Sequence, residues 1–122
     1  MDVFKNKVFH VWAKSKNLLD VTLMEAVQEM EKGLYEANLG GNVYKKRLAI
    51  PGRGKRGGSR TILAYKTSDK AFFIYGFSKN KQENITLKEE QALKKLAKIY
   101  LSYDRGQLDQ AIKAGELFEV KL

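Results

Sequence analysis

The densest chemistry in this chain is positive charge. Lys45, Lys46, Arg47, Arg53, Lys55, Arg56, Arg60 and Lys66 fall between Ala37 and Ser68, a 32-residue window with no Asp or Glu. The other 90 residues hold 15 cations against 14 acids, so +8 of the formal net charge of +9 lies in that window. A surface built for solubility alone intersperses its charges. Cations crowded onto one element repel one another and are kept for an anionic partner. The window therefore points to an anionic partner such as nucleic acid, with a solvated basic face as the competing reading.

Spacing sharpens this. Lys45 and Arg47 share one face of an alternating stretch, Arg60 opens the next, and in an antiparallel pair the three side chains converge. Phosphoryl transfer without a metal needs cations to neutralise charge developing on the phosphate, together with a base and an acid. A lysine crowded by cations gives up its proton more readily and can serve in transfer. The same residues read equally well as non-catalytic phosphate clamps.

Between them runs Gly52-Arg53-Gly54-Lys55-Arg56-Gly57-Gly58-Ser59. Its glycines satisfy G-x-G-x-x-G, but a dinucleotide site needs a helix after the loop and an acid some way on. A strand pattern follows instead, and no acid occurs until Asp69. The phosphate-loop pattern fails too, for want of G-K-[ST]. A backbone-exposing cationic finger that closes on phosphates is the functional reading; a Gly-rich turn is the bland one. Lys79-Asn80-Lys81 follows the next apolar strand, where residues edge a site or simply make a surface turn. Tyr44, Tyr65 and Tyr75 lie on strands, available for stacking, proton donation or core packing. His10 is the only histidine, so no histidine pair exists. Without cysteine or any carboxylate–histidine cluster in the window, neither a disulfide scaffold nor a tightly held catalytic metal is expected, and no cofactor is implied.

The elements that position these groups follow from periodicity. Phe4, Val8, Val11 and Trp12 suggest a first helix of about three turns, with a strand at Val8 to Trp12 as the competing reading. Thr22-x-x-Glu25 reads as a capping box opening a second, with Leu23, Val27, Met30 and Leu34 inward and Glu25, Gln28, Glu29 and Lys32 outward. Gly40-Gly41-Asn42 breaks the chain. Val43 to Ile50 alternates as a strand, with Tyr44, Lys46, Leu48 and Ile50 opposite Val43, Lys45, Arg47 and Ala49. Arg60 to Lys66 and Ala71 to Phe77 follow, the last apolar on both faces and so central. Thr86-x-x-Glu89 caps a helix buried through Leu93, Leu96, Ala97, Tyr100 and Leu101. A short helix spans about Asp104 to Ala114, and the tail from Leu117 fits no one element. The prediction is a single α+β domain over residues 1–122: two N-terminal helices, an antiparallel sheet of about three to four strands, and C-terminal helices, all packed on one sheet face. No apolar run reaches membrane-spanning length, the N-terminal stretch is too rich in lysine for a signal-peptide core, and a cytoplasmic location is expected.

Three segments together resemble a known family. Tyr44-Lys45-Lys46-Arg47-Leu48 is followed by Gly52-Arg53-Gly54-Lys55-Arg56-Gly57-Gly58-Ser59-Arg60, then by Tyr75-Gly76-Phe77-Ser78-Lys79-Asn80. This is similar to the RelE/HigB-like toxins of bacterial type II toxin–antitoxin systems, in the branch with a G-x-G-K-x-G-G-x-R loop and a Y-G-F-x-K-N strand end. The resemblance covers most of the chain. It implies a compact α+β fold and an endoribonuclease that cuts mRNA in the ribosomal A site, the ribose 2′-hydroxyl attacking the adjacent phosphate without a metal. By position, Lys45 and Arg47 would be the basic strand pair, Lys55 the loop contact, Arg60 the phosphate-stabilising arginine and Lys79 the cation after the last core strand. Lys46, Arg53, Arg56, Asn80 and Lys81 would complete the RNA-binding surface. Where many relatives carry a Tyr or His for proton transfer, this sequence has Ile85, and Asn80 stands where some have Arg. The implied partners are the ribosome with its mRNA and a cognate antitoxin, helix-turn-helix in type and acidic where it grips the toxin. A non-cutting ribosome-binding inhibitor and a gyrase-directed toxin of the same fold are the alternatives.

Overall fold

The computed structural model describes residues 1–50 and 58–121. Its elements run β1 (Asp2–Asn6), α1 (Lys7–Ser15), α2 (Asp20–Glu31), β2 (Ala37–Gly40), β3 (Val43–Arg47), β4 (Ser59–Lys66), β5 (Lys70–Ser78), α3 (Leu87–Ser102), α4 (Arg105–Lys113) and β6 (Leu117–Glu119). The strands form one sheet in the order β2-β3-β4-β5-β1-β6. The α+β class and the central place of β5 are as predicted. The sheet is larger and mixed, because β1 pairs with β5 in parallel while its other ladders are antiparallel.

The helices occupy both faces, which overturns the one-sided packing. On one face, α1 and α2 cover Val3, Leu48, Leu63, Tyr65, Ala71 and Phe73 through Phe9, Ala13, Leu23, Val27 and Met30. On the other, α3 and α4 cover Phe4, Val43, Ile62, Phe72 and Ile74 through Leu93, Ala97 and Leu108. A strand apolar on both sides demands cover on both, so β5 itself carried the signal. Each fully buried Phe or Leu contributes about 1.5–3 kcal/mol.

The N-terminal region departs furthest from expectation. Phe4 belongs to β1, and the helix starts only after Asn6, whose side chain accepts from Phe9 N at 2.8 Å as its cap. The predicted capping box at Thr22 does not form. Helix α2 begins at Asp20 with Leu19 as a cap lacking any side-chain bond, and the Asp20 carboxylate instead accepts from Lys5 Nζ at 3.2 Å and Lys121 N at 3.1 Å. Gly33, at φ +78°, ends α2: Leu34 N reaches Glu29 O and Gly33 N reaches Met30 O, the Schellman pattern. Leu34 therefore leaves the helix and is 54% exposed rather than part of its stripe. The boxes at Thr86–Glu89 and Asp104–Gln107 do form. The unassigned tail becomes β6, pairing with β1.

A bulge in β5 settles which side chains face the site. The register steps from Ile62↔Tyr75 to Leu63↔Phe73, leaving Ile74 unopposed. An extra residue reverses the alternation beyond it. Tyr75 and Phe77 thus join Phe72 and Ile74 on the α3 side, and Gly76 turns toward α1, where an added Cβ would lie 2.2 Å from the Trp12 ring. Only glycine lets that indole lie against the strand.

Candidate functional site

Two transverse rows of the sheet build the site. One runs Lys45–Ile62–Tyr75 and the other Arg47–Arg60–Phe77 across β3, β4 and β5. Like charges opposite one another, as Arg47 and Arg60 are, destabilise a ladder unless an anion intervenes. Here the anion is Glu36. Its backbone N donates to Lys45 O at 2.8 Å, which sets it beside β3 just ahead of β2. Its carboxylate lies 2.6 Å from Arg60 Nε, 3.7 Å from Arg47 Nε and 3.8 Å from Lys45 Nζ.

The three cations differ in exposure. The Arg60 side chain is 4% exposed, that of Lys45 16% and that of Arg47 52%. Arg60 is thus a buried guanidinium fixed by Glu36 and, more weakly, by a 3.4 Å contact from Nη1 to Ser59 O. Arg47 reaches into solvent. The result is one face with three cations around one carboxylate, a surplus of positive charge beside a sheet whose low dielectric strengthens its field.

A polar frame borders Lys45. Its Nζ donates to Asn84 Oδ1 at 3.4 Å, and Gln82 Nε2 donates to Asn84 O at 2.9 Å and to Glu89 Oε1 at 2.8 Å. The Tyr75 hydroxyl sits 3.1 Å from Glu89 Oε2 and 3.2 Å from Gln82 Oε1. Burial, then the bond to Glu89, pushes the Tyr75 phenol up from its ordinary value. The Thr86 backbone N–H, with further bonds from Tyr75, Gln82 and Thr86, holds the Glu89 carboxyl below the usual range. Tyr75 is thus held protonated at neutral pH, facing the row that carries Lys45. Ile85, where a proton-transfer residue was expected by resemblance, packs against the α3-side core and donates its N–H to Asn84 Oδ1.

Of the residues singled out from sequence, Lys45, Arg47 and Arg60 come together. Lys46 does not join them. It points to the opposite face, 5% exposed, with Nζ 2.6 Å from Glu29 Oε1 on α2. Glu29 accordingly faces inward there, against its predicted outward place. Lys79, Asn80 and Lys81 are exposed in the turn after β5. Lys79 N donates to Gly58 O at 2.8 Å, tying that turn to the start of β4. Gly58 sits at φ +75° with its missing Cβ 3.1 Å from Lys79 Cβ, so this junction needs glycine. Lys81 lines a cleft of about 270 Å3 with Trp12, Lys16, Tyr75, Gly76 and Gln82. Arg53, Lys55 and Arg56 lie outside the described residues. Among the residues missed were Glu36, Gln82, Asn84 and Glu89. Glu36 was within reach: it is the last acid before the acid-free window, and counting back from a hairpin at Gly40-Gly41-Asn42 sets it beside Lys45. His10, the only histidine, stacks on Phe118 at 3.8 Å between ring centres.

Among the described residues no helix is long and apolar enough to cross a membrane, and no three His, Asp or Glu side chains gather as a metal-binding group. A family model described as the RelE toxin of the RelE/RelB toxin–antitoxin system matches residues 1–120. No curated protein matches the chain.

Proposed function

The chain belongs to the RelE toxin family, the toxin half of a toxin–antitoxin pair, and on that footing we propose that it is a ribosome-dependent, metal-independent endoribonuclease that stops translation by cutting mRNA. The observation that carries this reading is the convergence of Lys45, Arg47 and Arg60 on a single anion position. In the proposed reaction the 2′-oxygen attacks phosphorus, the bond to the 5′-oxygen breaks, and a 2′,3′-cyclic phosphate and a 5′-hydroxyl result. The 2′-hydroxyl gives up one proton to water and the leaving 5′-oxygen takes one from a donor in the site, so the step is proton-neutral overall. Negative charge grows on the non-bridging oxygens meanwhile, and preorganised cations there are worth more than in water. In this reading Lys45 and the exposed Arg47 meet the incoming phosphate and Arg60 stabilises the pentacoordinate state; their shared contact with Glu36 supports the assignment. Lys79 and Lys81, with Arg53, Lys55 and Arg56, would extend the grip along the strand. Tyr75, on the row of Lys45, is the proton donor assigned in this reading, on the ground of its position alone.

Ile85 supports a second reading, an inhibitor that binds the ribosome and its mRNA without cutting. A reconstituted translation reaction with primer extension on the mRNA separates the two. New 5′ ends that require ribosomes support cleavage. Arrested translation without new ends would replace it with the non-cutting reading. Binding to single-stranded RNA is expected to weaken with salt, at a slope of log affinity on log salt near −3 for about four neutralised phosphates.

A further inference from the structure

Glu36 is out of place by the logic of a phosphate site. Its charge sits where a phosphate oxygen would bind, and it subtracts from the attraction that Lys45, Arg47 and Arg60 offer an RNA strand. Yet the three contacts are unequal: 2.6 Å to Arg60, against 3.7 Å to Arg47 and 3.8 Å to Lys45. The short one holds the most buried cation. A guanidinium with 4% of its side chain exposed stays charged and in place only with a counter-ion, because unpaired burial of a charge is costly. The long contacts fall outside hydrogen-bonding distance and can give way.

We propose that Glu36 is the positioning residue of this site: it stays bonded to Arg60 Nε and aims the rest of that guanidinium, while it releases Lys45 and Arg47 to the incoming phosphodiester. The proposal rests on the RNA-cleaving reading and adds the source of its selectivity. A carboxylate beside the phosphate position lowers ground-state affinity for any polyanion. The pentacoordinate state, with its extra negative charge, gains more from an Arg60 fixed in advance than the ground state does. Such an arrangement favours turnover over tight binding, which suits a site that must release one strand to cut the next.

The signature is opposite shifts in binding and turnover. Glu36→Gln removes the charge and replaces the charge-assisted bond from Arg60 Nε with a weaker neutral one, so the guanidinium is held less firmly. The variant is expected to bind a 2′-O-methyl RNA oligonucleotide, which cannot be cut, about tenfold more tightly. Its salt slope should steepen by about 0.7, one more cation being free to neutralise phosphate. In ribosome-dependent cleavage KM should fall while kcat drops by roughly tenfold to a hundredfold, the scale of a misaimed group. Glu36→Asp, which keeps the charge, should restore the salt slope but not kcat. A purely structural Glu36 would lower the melting temperature and leave affinity and slope unchanged. That result, or Gln and wild type alike in all of these, overturns the proposal.

On the wild-type protein, the Arg60 Nε–Hε proton resonance should stay at its hydrogen-bonded position when the oligonucleotide is added. Its moving to that of a free guanidinium would show that Glu36 leaves, which overturns the proposal without any variant. The oligonucleotide arm also separates failures: if wild-type protein cuts nothing, the cleavage reading falls, while affinity, slope and resonance still decide the role of Glu36.

Discussion

Lys45 and Lys46 are chain neighbours of one residue type on one strand, yet the sheet sends them to opposite fates. Lys46 points toward α2, is almost fully buried, and closes on Glu29 at 2.6 Å. Lys45 points toward α3, shares Glu36 with two arginines at longer range, and leans on a neutral amide at Asn84. On the α2 side each charge is met closely and the arrangement holds elements together. A second clasp of the same kind lies nearby, where the Tyr65 hydroxyl donates to Glu31 of the same helix. On the α3 side three cations surround one carboxylate, and the surplus is available for work. Neutralisation, more than the count of positive charge, separates the part of the basic window that builds the protein from the part left with surplus charge.

The sharpest way to break this contrast is Arg60→Ala. Removing a preorganised donor to a developing oxyanion costs about a hundredfold to a thousandfold in rate, and the loss here is expected to reach at least that scale in ribosome-dependent cleavage. The fold should survive, since the Glu36 left behind still has Lys45 and Arg47 within 4 Å. Melting curves beside primer-extension rates check both halves. Cleavage at the wild-type rate would remove Arg60 from the site.

The next largest effect should fall on the other face. Lys46→Met fills a similar volume but leaves Glu29 without this partner. Breaking a buried pair costs about 3–5 kcal/mol, discounted here to about 2 kcal/mol because Glu29 is 32% exposed and can be hydrated. That corresponds to a fall of roughly 8 °C in Tm. Affinity for RNA and its salt slope should not change. A shallower slope at unchanged stability would place Lys46 among the phosphate contacts after all.

Much of this was legible in the residues. The alternation of Val43 to Ile50 already separates Lys46 from Lys45 and Arg47, and Arg60, opening the next strand, converges with them in an antiparallel pair; the exact pairing with Arg47 is seen only in the ladder. What the alternation could not show was which face is covered by a helix, so Lys46 was grouped with the RNA contacts. The two-sided apolarity of β5 held that information and was used only to make the strand central. Glu36 was hidden for a different reason. A window defined by the absence of acids ends where the first acid begins, and Glu36 sits one residue outside it. The N-terminal error was one of competing periods: Phe4 lies at helical spacing from Val8 and Val11, but a parallel ladder with β5 fixes Phe4↔Phe72, a long-range pairing that no local pattern encodes. The bulge at Ile74, which aims Tyr75 at the site, is equally a property of two strands together.

The smallest expected effect tests the α2 clasp by pH. Burial, first, and the bond to Glu31 push the Tyr65 phenol up to about 12 from an ordinary 10. The folded state thus prefers the protonated hydroxyl. Its contribution is complete below pH 10 and is lost as pH rises toward about 12, because over that interval the unfolded chain ionises and the folded one does not. At pH 11 the loss amounts to about 1 kcal/mol. Tyr75 and Tyr100 are raised in the same direction, so the wild-type curve alone would mix three phenols. The difference between wild type and Tyr65→Phe isolates one. The phenylalanine variant should be less stable at pH 8, and the gap should close between pH 10 and 12 in denaturant titrations. A gap independent of pH would mean that Tyr65 and Glu31 merely touch, and that the α2 face is held by its apolar contacts and the Lys46–Glu29 pair.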